Sequence, residues 1–459
     1  MTTMLTAIDP STGRTVREVP AASPVEIEAT LEAAETAYHD WRRAGFAERA
    51  ALLRAVGAEL RGNVEDYAAV MTEEMGKPIT EARGEVIKAA WAAEHYADHA
   101  ERYLATDVVE SDATSSYVQY LPIGPVLGVL PWNAPFWLAF RFCAPALMAG
   151  NTAVMKHDPH VPGCADAIAG AFRAVGAPDG VFSSLPVATP DVAGVIRDRR
   201  IRAVSFTGSD RAGAAVAAVA ASEIKPAVLE LGGSDPSIVL ADADIEAAAE
   251  VLALSRIINA GQSCIAAKRI IVERPVHEEL VEALRIRLAA LRMGDPRQDD
   301  TQVGPIARAD LRDNLHRQVT ETVAAGATCL LGGTVPDGPG FFYPPTLLTG
   351  VRPGMAACAE ETFGPVAAVM PAVDAEHAVD LANATPYGLA ASVWTDAARG
   401  ESLARELEAG QVSVNGIVKT DPRLPSGGVK RSGYGRELGR AGIHEFVNAQ
   451  QVWVGPKRD

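Results

Sequence analysis

The sequence predicts an α/β protein of two docked lobes, each a largely parallel sheet covered by helices. Short apolar runs alternate with alanine-rich helical segments through most of the chain. No internal repeat, low-complexity tract or Gly/Ser-rich linker separates one part from another, so the lobes must be interleaved or tightly docked. The chain has 459 residues, which at roughly 100 to 200 residues per domain leaves ample length for large buried cores.

The elements follow in order. Ser23-Pro24-Val25-Glu26 has the form of a capping box with proline at the first helical position, and Ile27, Leu31, Ala34, Tyr38 and Trp41 recur at helical spacing after it. A turn at Met75-Gly76-Lys77-Pro78 separates two further helical stretches, and from about Ser111 the pattern becomes β. Tyr117–Leu121, Val126–Leu130, Thr152–Met155, Ala203–Phe206 and Ala227–Leu231 read as strands, with helices at Cys164–Val175 and Ala212–Ala221. The second half repeats the habit. Strands are expected at Ser237–Leu240, Arg269–Val272, Val366–Met370, Ala390–Trp394 and Val412–Asn415, with helices from Asp244 and over His277–Leu291.

Composition narrows the function. There are 42 Lys and Arg against 58 Asp and Glu, a net charge of −16, with no stretch of five or six like charges, so no nucleic-acid partner is expected. At 48% hydrophobic and 22% charged residues, wholesale disorder is excluded too. The five cysteines, Cys143, Cys164, Cys264, Cys329 and Cys358, lack CxxC spacing, so neither a disulfide framework nor a metal site is expected, and a reducing cytoplasm is. Met1–Gly13 lacks a basic segment followed by an apolar one, so no secretory signal is expected there. Leu121–Phe140 is uncharged and long enough for a membrane, but Pro122, Pro125, Pro131 and Pro135 favour buried strand and loop, and no membrane partner is expected.

Several residues could carry chemistry. Ala203-Val204-Ser205-Phe206 runs into Thr207-Gly208-Ser209 with Gly213 a turn later, a strand-to-helix turn of the kind that receives a pyrophosphate; by itself the spacing fits an ordinary turn as well. Gly433 to Gly439 is a decoy, one residue too long and without an apolar strand before it. Cys264, in Asn259-Ala260-Gly261-Gln262-Ser263-Cys264, is either a nucleophile or a small inert core residue. Glu230 ends an apolar run before Leu231-Gly232-Gly233, where a carboxylate is costly unless it is used or paired. Asn133 offers an amide donor or a turn.

Together, PWN at Pro131–Asn133, FTGS at Phe206–Ser209, LELGG at Leu229–Gly233, NAGQSC at Asn259–Cys264, EETFGPV at Glu360–Val366 and GGVKRSGYGRE at Gly427–Glu437 resemble the aldehyde dehydrogenase superfamily over nearly the whole chain. The interval of 34 residues from Glu230 to Cys264 suits that family. Lys156-His157, GGSDP at Gly232–Pro236 and the run from Cys264 through Arg269 are most similar to bacterial succinate-semialdehyde dehydrogenases.

The resemblance implies an aldehyde dehydrogenase-like fold. A Rossmann-type cofactor domain would take 1–106 and 125–231, an α/β catalytic domain 232–426, and a small β oligomerisation arm 107–124 and 440–459 of a homodimer or homotetramer. It implies Cys264 as nucleophile, Asn133 as oxyanion donor and Glu230 as base for the water. Trp132, Lys156, Gly208, Ser209, Gly213, Glu361 and Phe363 would bind NAD or NADP. Many family members read KPSE where this chain has Lys156-His157-Asp158-Pro159. Pro159 thereby removes a carboxylate that would repel the 2′-phosphate of NADP, while an inward Asp158 would restore the repulsion. Arg141, eight residues after Asn133, would grip the far carboxylate of a semialdehyde acid in bidentate fashion, and Ser426 stands in the substrate pocket where the family's PFGG string usually has an aromatic. Alternatively Phe136 and Trp137 line a tunnel for neutral aldehydes. A remoter reading is a cofactor-free hydrolase pairing Cys264 with His444.

Overall fold

A computed structural model describes residues 3–456. The expected helices form around the expected signals. Ser23 Oγ accepts from the Glu26 N–H and the Glu26 carboxylate accepts from the Ser23 N–H, starting helix Pro24–Trp41 with Leu31, Ala34, Tyr38 and Trp41 buried. Gly76, at φ +77°, ends helix Val64–Met75, and helix Ile79–Tyr103 follows directly.

One sheet has the spatial order Gly433–Tyr434, Ala227–Glu230, Ala203–Thr207, Val126–Val129, Ala153–Lys156, Phe182–Ser184. All of its neighbours are parallel except the first pair, where Gly433 lies opposite Glu230. Strand Val126–Val129 is buried on both faces, which is why its sequence is continuously apolar rather than alternating. The chain leaves it for Ala153–Lys156 and Phe182–Ser184 on one side, then returns to Ala203–Thr207 on the other. That reversal opens a crevice beyond the ends of Val126–Val129 and Ala203–Thr207.

Leu121–Phe140 does not stay strand and loop throughout. Helix Pro135–Met148 begins inside it, because a proline at the first position sacrifices no helical hydrogen bond. Every residue of this helix is buried, and Phe142 packs so closely on the sheet that a Cβ on Gly128 would sit 2.5 Å from its ring.

The second sheet runs Thr328–Leu331, Thr346–Thr349, Val366–Ala372, Arg269–Glu273, Pro236–Val239, Ala390–Trp394, Gln411–Val414, with only the Thr328–Leu331 edge antiparallel. It has its own apolar core, from Ile238 and Leu252 through Leu284, Leu347 and Val369 to Trp394.

A third, antiparallel sheet pairs Val447–Pro456 with Ala113–Pro122, which also pairs with Asp107–Val108. The expected 440–459 arm therefore divides. Helix Gly439–His444 and Phe446 belong to the core of the first lobe, with Phe446 edge-on to Phe142, and only the strand from Val447 joins this sheet. No helix among the described residues is long and apolar enough to cross a membrane.

Candidate active site

Glu230 is the last residue of its strand and is buried. Its Oε2 accepts from Arg141 Nη2 at 3.1 Å, while its Oε1 has no partner among the described residues. Burial pushes this carboxyl well above the ordinary carboxylate range; Arg141 opposes the rise and Glu437 adds to it. Glu437 faces the same guanidinium, 2.6 Å from Nη2, and accepts from Ser205 Oγ at 3.1 Å. The segment set aside in the sequence as a glycine decoy thus supplies an edge strand against Glu230 and a second carboxylate for Arg141.

The loop leading to Cys264 is held in an uncommon backbone conformation. Asn259, Ala260 and Gly261 have φ of +55°, +52° and +74° in succession. For a non-glycine residue this region costs on the order of 1–2 kcal/mol, so surrounding bonds must impose it. They are present: the Asn259 N–H donates to Glu81 at 2.6 Å, and its Nδ2 donates to the Asn133 carbonyl at 2.8 Å. At Gly261 a Cβ would meet the Gly364 carbonyl oxygen at 2.3 Å.

Asn133 Nδ2 donates to the Gln262 carbonyl at 3.1 Å, which brings this amide to the nucleophile loop. Lys77, buried and paired with Glu85, donates to the Asn133 carbonyl at 3.0 Å, while Glu85 accepts from the first turn of helix Pro135–Met148 through the Phe136 and Trp137 N–H groups.

Cys264 itself is half-buried. Burial pushes its thiol up to about 12, with the charges of Lys268 and Arg141 pulling it down. Lys268 is fully buried and donates to the carbonyls of Ser263, at 3.0 Å, and of Cys264; its Nζ lies 3.4 Å from Glu361. Sequence reasoning missed Lys268, Lys77 and Glu437. The signal for Lys268 was a charge entering the apolar strand that starts at Arg269.

The residues expected to bind a dinucleotide border the crevice. Lys156 ends its strand, Gly208 and Ser209 follow theirs, and Trp132 follows Val126–Val129. Ser209 caps helix Asp210–Ser222 by accepting from the Ala212 N–H, and Gly213 is pressed on Leu231, where a Cβ would approach to 2.5 Å. Glu361 accepts from the Gly233 N–H at 3.2 Å, and Phe363 lies edge-on to Trp132 at 5.8 Å. A helix N-terminus at the sheet's reversal point, a close-packed glycine and a carboxylate held by backbone suit the pyrophosphate and ribose of such a cofactor. Asp158 is held by its own turn: its Oδ1 accepts from the His160 N–H at 2.9 Å and lies 2.7 Å from His160 Nδ1.

Three expectations change. Arg141 cannot offer a bidentate fork through Nε and Nη2, because Nη2 is engaged by Glu230, Glu437 and Ser426 Oγ, and Nε is sealed from solvent. Phe136 is not a tunnel wall. It is fully buried against Tyr67, 5.5 Å between ring centroids, because it sits about 100° around the helix from Trp137. His444 is engaged elsewhere, its Nε2 bonded to the Tyr103 carbonyl at 2.7 Å and its ring against Tyr120, so the Cys264–His444 pairing is not made.

A profile of the aldehyde dehydrogenase family matches residues 2–452. The chain belongs to the aldehyde dehydrogenase family. It is 48% identical over 451 residues, 98% of this chain and 99% of the relative, to a Synechocystis protein named "Probable succinate-semialdehyde dehydrogenase [NADP(+)]". It is 45% identical over 448 residues, 97% of each, to the NAD(P)+ succinate semialdehyde dehydrogenase of Escherichia coli K12. Among solved structures, succinic semialdehyde dehydrogenase of Streptococcus pyogenes in complex with NADP+ superposes with a TM-score of 0.96 at 34% identity, covering 98% of this chain and 100% of that one.

Proposed function

We propose that this protein oxidises succinate semialdehyde to succinate with NADP or NAD. The observation that carries the chemistry is the buried Glu230 with one oxygen held by Arg141 and the other free, in a site with Cys264 and Asn133. The substrate is supported by the names of relatives at 45–48% identity, and NADP by Pro159 together with the engagement of Asp158 by His160.

Cys264 attacks the aldehyde carbon as the thiolate, its proton having passed to solvent; burial opposes that ionisation, and the charges of Lys268 and Arg141 favour it. Asn133 Nδ2 turns from the Gln262 carbonyl to the oxyanion of the thiohemiacetal, joined by the Cys264 N–H. A dinucleotide held at the crevice would supply the acceptor for the hydride whose loss turns the thiohemiacetal into a thioester. Glu230 Oε1 then takes a proton from water, which hydrolyses the thioester and releases the acid. Lys156 and Glu361 would hold ribose hydroxyls, with Trp132, Gly208, Ser209 and Gly213 along the phosphates, in a cofactor unit of residues 1–106 and 125–231. The exposed arm of Val447–Pro456, Ala113–Pro122 and Asp107–Val108 would pair two or more copies, in the cytoplasm.

The neutralisation of Arg141 by two carboxylates favours a second reading, oxidation of neutral aldehydes. Absorbance at 340 nm with succinate semialdehyde, butanal and benzaldehyde, each with NAD and NADP, separates the two. A kcat/KM for butanal above that for succinate semialdehyde with both cofactors overturns the leading reading.

A further inference from the structure

Arg141 shares its positive charge between two carboxylates, which leaves open what would attract an anionic substrate. The face of helix Ile79–Tyr103 that packs on helix Pro135–Met148 supplies a candidate. Lys88 places its Nζ 4.2 Å from the centroid of the Trp137 ring and donates to Thr420 Oγ1 at 2.9 Å. It is partly buried, and no carboxylate among the described residues lies within 4.0 Å of it, unlike Lys77, Lys268 and Arg141. An ammonium withdrawn from water without an anion is unfavourable, and an arriving carboxylate relieves that cost. The charge is under strain: burial, and then the field of Arg141, lower its pKa to about 8, while Glu85 and Asp421 partly offset this.

Its position relative to the reacting groups also fits. Asn133, Trp137 and Arg141 succeed one another at intervals of four, and helix Pro135–Met148 begins two residues after Asn133, so Trp137 and Arg141 share one helical face. Lys88 lies against the middle of this row. A chain whose carbonyl oxygen is at the Asn133 amide and which runs along Trp137 brings its far end to Lys88. The same ammonium meets the segment Thr420–Leu424, where Asp421 is already paired with Arg423 at 2.6 Å and Arg423 lies over Trp91 at 5.4 Å. The anion adjacent to Thr420 is therefore engaged by another cation.

We propose that Lys88 is the residue that selects a carboxylate-bearing aldehyde, its ammonium pairing with the substrate's far carboxylate over the Trp137 ring while Arg141 holds Glu230 and Glu437. The proposal rests on the succinate semialdehyde reading. A cation that touches the distal carboxylate contributes equally before and during reaction, so its loss is read in KM more than in kcat.

The test compares succinate semialdehyde with butanal, an aldehyde of the same carbon count lacking the carboxylate, for wild type, Lys88→Met and Lys88→Arg. Methionine keeps the contact with Trp137, and arginine keeps the charge. The expected result is a wild type that prefers succinate semialdehyde. In Lys88→Met the ratio of the two kcat/KM values falls at least tenfold, mainly through KM for the acid, and Lys88→Arg recovers most of it. If wild type shows no preference for the acid, the substrate reading fails and the proposal with it. If wild type prefers the acid and Lys88→Met, folded by circular dichroism, keeps the full ratio, Lys88 is a packing residue and the proposal alone is overturned.

Discussion

Arg141 holds Oε2 of Glu230 at 3.1 Å and leaves Oε1 of the same buried carboxylate without a partner among the described residues. One bond thus orients the base and selects which of its oxygens meets water. A strand edge fixes the rest: Gly433 pairs with Glu230, and at Gly433 a Cβ would stand 1.9 Å from the Leu229 carbonyl oxygen, so the edge approaches this closely only through glycine.

Replacing Glu230 with Gln keeps the shape and removes the base. Thioester formation should continue, giving a burst of reduced cofactor in rapid mixing, while the steady rate falls by about 10²- to 10⁴-fold. Cys264→Ala should show no burst and no turnover yet bind cofactor, as measured by fluorescence titration. Near wild-type turnover in Cys264→Ala removes the nucleophile from this scheme, and an acylation step lost as completely as deacylation gives Glu230 a further role.

The charge of Glu437 helps to hold the pKa of Glu230 up. A base acts only when deprotonated, so a raised pKa moves the acid limb of the deacylation rate to higher pH than an ordinary carboxylate would give. Glu437→Gln removes the like charge while keeping Arg141, and the Glu230 carboxyl should ionise more easily. The acid limb of kcat should move to lower pH by about one unit, toward the range of an ordinary Glu at about 4.3. A limb that stays in place, or moves to higher pH, shows that Glu437 does not tune the base.

Much of this was legible because local signals agreed with the global fold. The capping box at Ser23, the continuous apolar run Val126–Val129 and the turn at Gly208 each point to one outcome, and the structure has it. What stayed hidden depends on residues distant in sequence meeting in space. Nothing near Arg141 announces Glu230, 89 residues away, or Glu437. Nor does the pattern around Phe136 and Trp137 tell which ring faces the core, because the whole helix is apolar and buried and periodicity vanishes where every face is covered. Lys77 lies in a turn and Glu85 in the helix after it, and nothing local shows that the fold closes over the pair.

The strand Val447–Pro456 is mostly exposed, with Trp453 and Val454 each close to half accessible on a sheet of only three strands. Exposed apolar strands of this kind need cover. Removing residues 448–459 leaves Phe446 and its core contacts in place, including the bond from Asn151 Nδ2 to its carbonyl at 2.7 Å. Light scattering on the truncated protein should give a smaller assembly than full length, or aggregates. An unchanged assembly excludes this strand as the subunit contact.

Arg141→Leu asks whether this arginine serves the base or the substrate. The substitution leaves Glu230 and Glu437 buried together without their cation, and breaking a buried pair from one side costs on the order of 3–5 kcal/mol. Part of that cost will be avoided by protonation, which disables Glu230 as a base near neutral pH. The loss should therefore fall on every aldehyde: kcat/KM should drop at least about tenfold, equivalent to about 1.4 kcal/mol, for succinate semialdehyde and for butanal alike. Thermal denaturation should show a lower midpoint as well. A loss confined to succinate semialdehyde would mean that Arg141 releases its carboxylates and turns to the substrate.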